Sequence, residues 1–194
     1  MAKRFANDNV RTFASRVTEE SSLIGIEPSA ILSFRDEYPA LVDRSLKSDA
    51  ATLANHVYTV EEFLYNEVQK GKIVSTMFTG KPRNIKLHGH CHQKALSDLN
   101  QVAWLLSLPS GYTVEIIPSG CCGMAGSFGY ETEHYEVSMQ IGELVLFPTI
   151  RATSDSDIIA ASGTSCRHQI KDGVDRDAQH PISILFDALI KGRA

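Results

Sequence analysis

Apolar residues along this chain switch between the three-to-four spacing of a helix and the short runs of a strand. Val10, Phe13, Ala14 and Val17 fall at helical spacing within residues 2–20, which predicts an amphipathic helix with no Ser, Thr, Asp or Asn ahead of it as a cap. Leu23 to Ile26 is an apolar run before Glu27-Pro28-Ser29, the pattern of a buried strand whose turn opens a helix. A helical region follows, broken near Tyr38-Pro39. Thr59 and Glu62 form a capping box before the stripe Val60, Phe63, Leu64 and Val68, and predict a helix over 60–70. Ile85 to His88 reads as a strand, after which Leu96, Leu99, Val102, Ala103 and Leu106 line one helical face. A strand over 112–117, a helix over 130–147 and a strand over 157–161 come next. Pro181 then opens a helix with Ile184, Leu185, Ala188 and Leu189 on one face.

Strands separated by helices of ten or more residues return in the same direction and pair in parallel. The expected fold is therefore α/β, a layered parallel-type sheet of about four strands flanked by helices. Ligands in such sheets sit at the carboxyl ends of the strands. Each of the last three strands runs into a cysteine-bearing segment, so Cys91, Cys121-Cys122 and Cys166 are expected on one rim. A faint repeat aligns residues 24–30 with 160–166, matching strand to strand and Ser29 to Ser165, with Ala30 standing where Cys166 stands.

Composition narrows the class. With 194 residues, 43% hydrophobic and 22% charged, the chain can form one ordinary core and reads as a single domain over 1–194. A net charge of −4 with no basic block leaves no field for nucleic acid. No stretch reaches the ~20 apolar residues of a membrane span, and no apolar signal core follows Met1, so a cytoplasmic protein is expected. Four cysteines in that setting point away from a disulfide framework and towards metal binding, redox chemistry or buried thiols.

The strongest chemical signal is Gly120-Cys121-Cys122-Gly123-Met124-Ala125-Gly126-Ser127-Phe128-Gly129. Glycine at every third position keeps a loop bare, so that backbone N–H groups at Gly120, Gly123 and Gly126 can approach a bound group. Neither the dinucleotide fingerprint nor the P-loop matches, whereas N–H donors near sulfur suit an iron–sulfur centre. Adjacent cysteines diverge, which a multi-iron cluster tolerates better than one zinc ion does. His88, His90 and His92 alternate, so on an extended backbone they share a side and Cys91 takes the other. Taken singly each histidine reads as a hydrogen-bonded structural residue; His90 joins the cysteines as a candidate ligand. Cys166 lies where a strand meets a helix N-terminus, a position that favours thiolate.

The order His90-Cys91-His92, Gly120-Cys121-Cys122-Gly123 and Cys166 resembles the cysteine-rich "CCG" domain. That domain occurs in a subunit of heterodisulfide reductase, in iron–sulfur subunits of glycolate and lactate oxidases, and at the end of FAD-linked oxidases with ferredoxin-type clusters. Gly25 to Ser29, Phe34-Arg35-Asp36-Glu37-Tyr38 and Gly163 to Gln169 are most similar to the last group. The resemblance implies that Cys91, Cys121, Cys122 and Cys166 hold an unusual four-iron cluster or zinc. Two departures stand out: Gly163 occupies the first position of the family's Cys-x-x-Cys, and Ala30 replaces a cysteine of its first half. Residues 1–80 are thus expected to be a remnant of a first half, residues 81–194 a second half with the site, and the chain the terminal piece of a longer protein.

The function so implied is a metal- or iron–sulfur-binding redox module serving a FAD-linked 2-hydroxy acid dehydrogenase, with FAD on a missing domain or partner. A flavin-containing dehydrogenase domain or subunit, and a second copy of the chain, are the expected partners. The alternative is a structural zinc-binding domain that organises an oxidoreductase complex. Disulfide exchange by the vicinal pair fits poorly, because no Cys-x-x-Cys is present.

Overall fold

A computed structural model of the chain describes residues 1–190. In chain order the elements are α1 (Ala2–Phe13), β1 (Leu23–Gly25), α2 (Pro28–Ile31), α3 (Glu37–Leu41), α4 (Lys47–Ala54), β2 (Val57–Thr59), α5 (Val60–Gln69) and β3 (Arg83–His88). They continue as α6 (Cys91–Leu96), α7 (Leu99–Leu106), β4 (Tyr112–Ile116), α8 (Tyr135–Glu143), α9 (Leu146–Arg151), β5 (Ile158–Ala161), α10 (Thr164–Val174), β6 (Ala178–Gln179) and α11 (Pro181–Ala188).

The α/β expectation holds. Strands in the order β4-β3-β5-β6 form an all-parallel sheet, while β1 and β2 pair in parallel as a separate two-stranded sheet. The strand over 23–26 therefore lies outside the main sheet, and the two-residue β6 supplies its fourth member. Nor is that strand buried: Ile24 and Ile26 are 39% and 63% exposed. Phe5 of α1 is exposed as well, so the first thirty residues carry several apolar side chains open to solvent. No helix among the described residues is long and apolar enough to cross a membrane.

Side-chain alternation along β5 separates two cores. Ala160 joins Ile85, Leu87, Leu105, Leu106, Ile184 and Leu185 on one face of the sheet. Ile159 and Ala161 join Ile117, Leu146, Phe147, Ile150 and Ile170 on the other. A third core lies under the N-terminal helices, where Val10, Leu32, Leu53 and Val57 are buried. Arg35 fastens this unit to the rest. Its guanidinium forms a bidentate pair with Glu62 at 2.9 and 2.7 Å and also donates to the carbonyls of Val57 and Leu96. Glu62 is also the capping-box acid, accepting from Thr59 N–H at 2.9 Å, so one carboxylate serves the start of α5 and the junction together.

Two prolines shift the helix boundaries away from those expected. Pro39 sits in the first turn of α3, where its missing N–H costs nothing, so the helix starts before it instead of breaking there. The helix expected over 130–147 is split into α8 and α9 because Pro148, in the first turn of α9, cannot donate to the carbonyl four residues back.

Candidate metal centre

Parallel strands bring the cysteines together at one rim. β3 ends at His88 and turns through Gly89 into α6, which puts Cys91 in the first helical position. β4 leads through Ser119 into the loop bearing Cys121 and Cys122. β5 ends at Ala161 and reaches Cys166 in the first turn of α10. A cleft of about 170 Å³ is lined by all four cysteines with His90, His92, Ala125, Gly126, Ser29 and Ser165. Cys91 is exposed at the mouth, Cys121 half-buried, Cys122 and Cys166 buried. Lys94 Nζ donates to the carbonyls of Ser119 and Gly120, both at 2.6 Å, and so ties α6 to the double-cysteine loop.

The four sulfurs form a chain of contacts with alternating protonation. Hydrogen bonds from the thiols of Cys122 and Cys91 pull Cys121 far below the usual thiol range, aided against burial by the N–H groups of Gly123 and Ala125. The Gly123 N–H lies 3.2 Å from its Sγ. The single Cys122 S–H lies between Cys121 and Cys166, and its contact with Cys166 lowers that thiol to about 5, helped by a hydrogen bond from His88 while burial opposes. Cys122 is pushed up by its contacts with Cys121 and Cys166 and by burial, and Cys91 by Cys121 and by burial. The shifts thus favour thiolate at Cys121 and Cys166 and thiol at Cys91 and Cys122. In metal-free protein near pH 7, iodoacetamide is expected to modify Cys121 ahead of the more exposed Cys91. Because one pKa is depressed and the other raised, the Cys121 rate should stay flat as pH falls from alkaline to neutral while the Cys91 rate drops. Peptide mass spectrometry of a timed labelling checks this, and faster labelling of Cys91 near pH 7 would contradict it.

The histidines do not share an extended strand. The extended backbone ends at His88, and the rings of His90 and His92 stack with centroids 5.4 Å apart at the start of α6. His90 is the helix cap: its Nδ1 accepts from His92 N–H at 3.1 Å, and its own N–H donates to Gln93 Oε1. Its Nε2 faces Glu27 Oε1 at 4.0 Å, and burial pushes its pKa down, so it is neutral at pH 7. Glu27 accepts from the N–H of Thr164 at 2.8 Å, and so joins the β1–α2 turn to the start of α10. Burial raises the pKa of this carboxyl, but hydrogen bonds from Thr164 and Ser29, with His90 nearby, outweigh it and hold it below its ordinary value. The faint repeat has a spatial counterpart, since β1 enters α2 as β5 enters α10, and Ser29 and Ser165 both line the cleft.

The glycines divide. Gly123 and Gly126 have φ of +107° and +72°, a region that favours glycine. A Cβ at Gly123 would lie 2.1 Å from the carbonyl oxygen of Ser138, whereas one at Gly126 meets nothing within 4 Å. Gly120 has neither constraint, and a side chain there would also be in open space. His88 is the residue that spacing did not single out. A ring nitrogen of His88 and the Sγ atoms of Cys122 and Cys166 lie within 4.8 Å of one another, all three buried.

Soft sulfur donors and a buried imidazole suit zinc or iron, and the residues present fit such a group. Fold and site together define a cysteine-rich α/β domain with a candidate metal centre at the carboxyl rim of its sheet. The chain is similar to a subunit of the anaerobic glycerol-3-phosphate dehydrogenase of Escherichia coli K12, 28% identical over 191 residues covering 97% of this chain and 46% of the relative. It is also similar to D-2-hydroxyglutarate dehydrogenases of Haemophilus influenzae (27% over 195 residues) and Escherichia coli K12 (26% over 190), in each case 96% of this chain and 18% of the relative. The chain thus spans about half the length of the first of these relatives and about a fifth of the others. No family model and no solved structure matches it.

Proposed function

We propose that this chain is the metal-binding redox module of a flavin-linked 2-hydroxy acid dehydrogenase system, with Cys91, Cys121, Cys122 and Cys166 holding an iron–sulfur cluster. The observation that carries the reading is the meeting of all four cysteines, from three separate strand ends, in one cleft. Similarity over nearly the whole chain to a glycerol-3-phosphate dehydrogenase subunit and to 2-hydroxyglutarate dehydrogenases supports the oxidoreductase setting. When bound, the cluster supplies one-electron transfer between the flavin of a partner domain or subunit and an acceptor. The protein's own part is to fix and tune. The N–H groups of Gly123 and Ala125 point at Cys121 Sγ, withdrawing charge from a ligand sulfur and raising the potential of whatever it holds. Exposed Cys91 leaves the centre open at the cleft mouth, where a partner can approach, while buried Cys122 and Cys166 keep the floor dry.

A structural zinc site is the second reading, favoured by the closeness of His88, Cys122 and Cys166, whose donor atoms span no more than 4.8 Å. Iron and acid-labile sulfide analysis of the full chain purified without oxygen separates the two. Iron with sulfide and a brown colour is the expected result; stoichiometric zinc without sulfide would replace the redox reading with the scaffold one.

A further inference from the structure

Four buried side-chain polar atoms among the described residues lack a hydrogen-bond partner, and His88 Nε2 is the one whose ring has two cysteine sulfurs beside it. His88 is 0% exposed. An imidazole nitrogen left unpaired in a dry site costs stability unless something takes its lone pair. The other ring nitrogen is occupied, since Nδ1 lies 2.8 Å from Ser119 Oγ, itself buried. Nδ1–H given to that oxygen leaves the Nε2 lone pair towards the sulfurs, the arrangement a metal-ligating histidine takes from its supporting residue, whereas in the metal-free cleft the other tautomer turns Nε2–H to Cys166. The ring sits on a stiff mount. His88 is paired with Ala161 in the centre of the sheet, and Ser119 follows the neighbouring strand β4.

We propose that His88 Nε2 is a ligand of the metal centre, completing with nitrogen a donor set that the cysteines begin, and that Ser119 sets its tautomer. The assignment rests on the metal-binding reading of the cleft given above. Position 163 shows why nitrogen serves here. A Cβ on Gly163 would lie 2.4 Å from His90 Cδ2 and 3.1 Å from Cys166 Sγ, so the capping ring of His90 fills the space into which a fifth thiol would extend. His88 reaches the sulfurs of Cys122 and Cys166 from the end of the adjacent strand β3. His90 itself is a positioning residue: Nδ1 is taken by the helix cap and Nε2 turns to Glu27.

X-ray absorption of the full chain loaded anaerobically with Co2+ alone tests the assignment without any variant. Imidazole scattering alongside sulfur is expected, and sulfur-only coordination would overturn it. The same signal should persist in His90→Gln and vanish in His88→Gln; survival in a folded His88→Gln protein overturns it too. Ser119→Ala should weaken Co2+ binding by about tenfold, the usual effect of removing a histidine's supporting partner, with the imidazole signal retained. Unchanged affinity in Ser119→Ala would remove the tautomer-setting role. Failure of the underlying reading looks different: Cys166→Ser would then bind Co2+ as tightly as the parent protein, and no variant at 88, 90 or 119 would matter.

Discussion

Serine at position 122 or 166 is expected to leave a folded protein that retains less than about a tenth of the parent's metal, because a neutral alcohol replaces a thiolate that soft metals prefer. The loss should be graded by place in the chain of sulfurs. Cys122 touches both Cys121 and Cys166, and Cys121 touches both Cys91 and Cys122; of the two ends, Cys166 is buried beside His88 and Cys91 is exposed. Cys91→Ser is therefore expected to weaken retention less than the other three substitutions. Folding responds in a different order. Cys122 and Cys166 are 2% and 1% exposed, so burying a hydroxyl in place of sulfur costs about 1–3 kcal/mol, while Cys91→Ser at the surface should be neutral. Metal analysis beside circular dichroism and thermal melting reads both orders at once. Full loading in Cys166→Ser, with the fold intact, would take that residue out of the site.

What the sequence disclosed of the fold follows the strength of local signals. The capping box Thr59/Glu62 is present as read, because both hydrogen bonds that define it are encoded within four residues. β3, β4 and β5 were legible as apolar runs bounded by turn residues. β2 and β6 were not, since three and two residues are too few to show a period, and both form only because a parallel neighbour is already in place. Thr59 hides a strand end behind a helix start: it closes β2 and caps α5 with the same residue. At Ile24 and Ile26 the run of apolar residues suggested burial, and the sequence held no sign that their neighbours would leave one face open.

In the site, the convergence of the cysteines came from topology alone, because three parallel strands must present their carboxyl ends on one side. The histidines were harder. Alternation of His88, His90 and His92 fits an extended strand only if the strand continues, and Gly89 followed by His90 and Gln93 instead starts a helix with His90 as its cap. A histidine cap falls outside the usual Ser, Thr, Asp and Asn set, which concealed the boundary. His88, the last strand residue, then lies beside the buried cysteines, while His90 lines the cleft with its Nδ1 taken by the helix cap. Glu27 gave no sign of its double duty, since its contact with Thr164 spans 137 positions of sequence.

The glycine spacing that drew attention to the double-cysteine loop conceals two different demands, and alanine substitutions should separate them sharply. At Gly123 a Cβ would press on the carbonyl oxygen of Ser138 at 2.1 Å and on Gln169 Nε2 at 2.9 Å. Neither can yield. Ser138 is buried in α8, its Oγ donates to the Gly123 carbonyl at 3.0 Å, and Gln169 from α10 donates to the Ser138 carbonyl at 3.0 Å. With the cost of a side chain at φ +107° added, Gly123→Ala is expected to lose more than about 3 kcal/mol, at roughly 2–4 °C per kcal/mol for a chain of this size. Gly126 has the same positive sign of φ but open space around it, and its neighbour Ala125 already tolerates φ of +39°. Gly126→Ala should therefore cost only about 1–2 kcal/mol, the ordinary penalty of the left-handed conformation. The added methyl stands at the cleft mouth and leaves every cysteine in place. Gly126 lines the cleft, so a change in the reduction potential of loaded protein is expected from Gly126→Ala without the packing penalty of Gly123→Ala. Thermal melts of the two metal-free variants check the first half, and equal losses at both positions would show that packing against Ser138 is not what distinguishes them. Potentiometry of loaded Gly126→Ala checks the second, and an unaltered potential would confine that glycine to the turn.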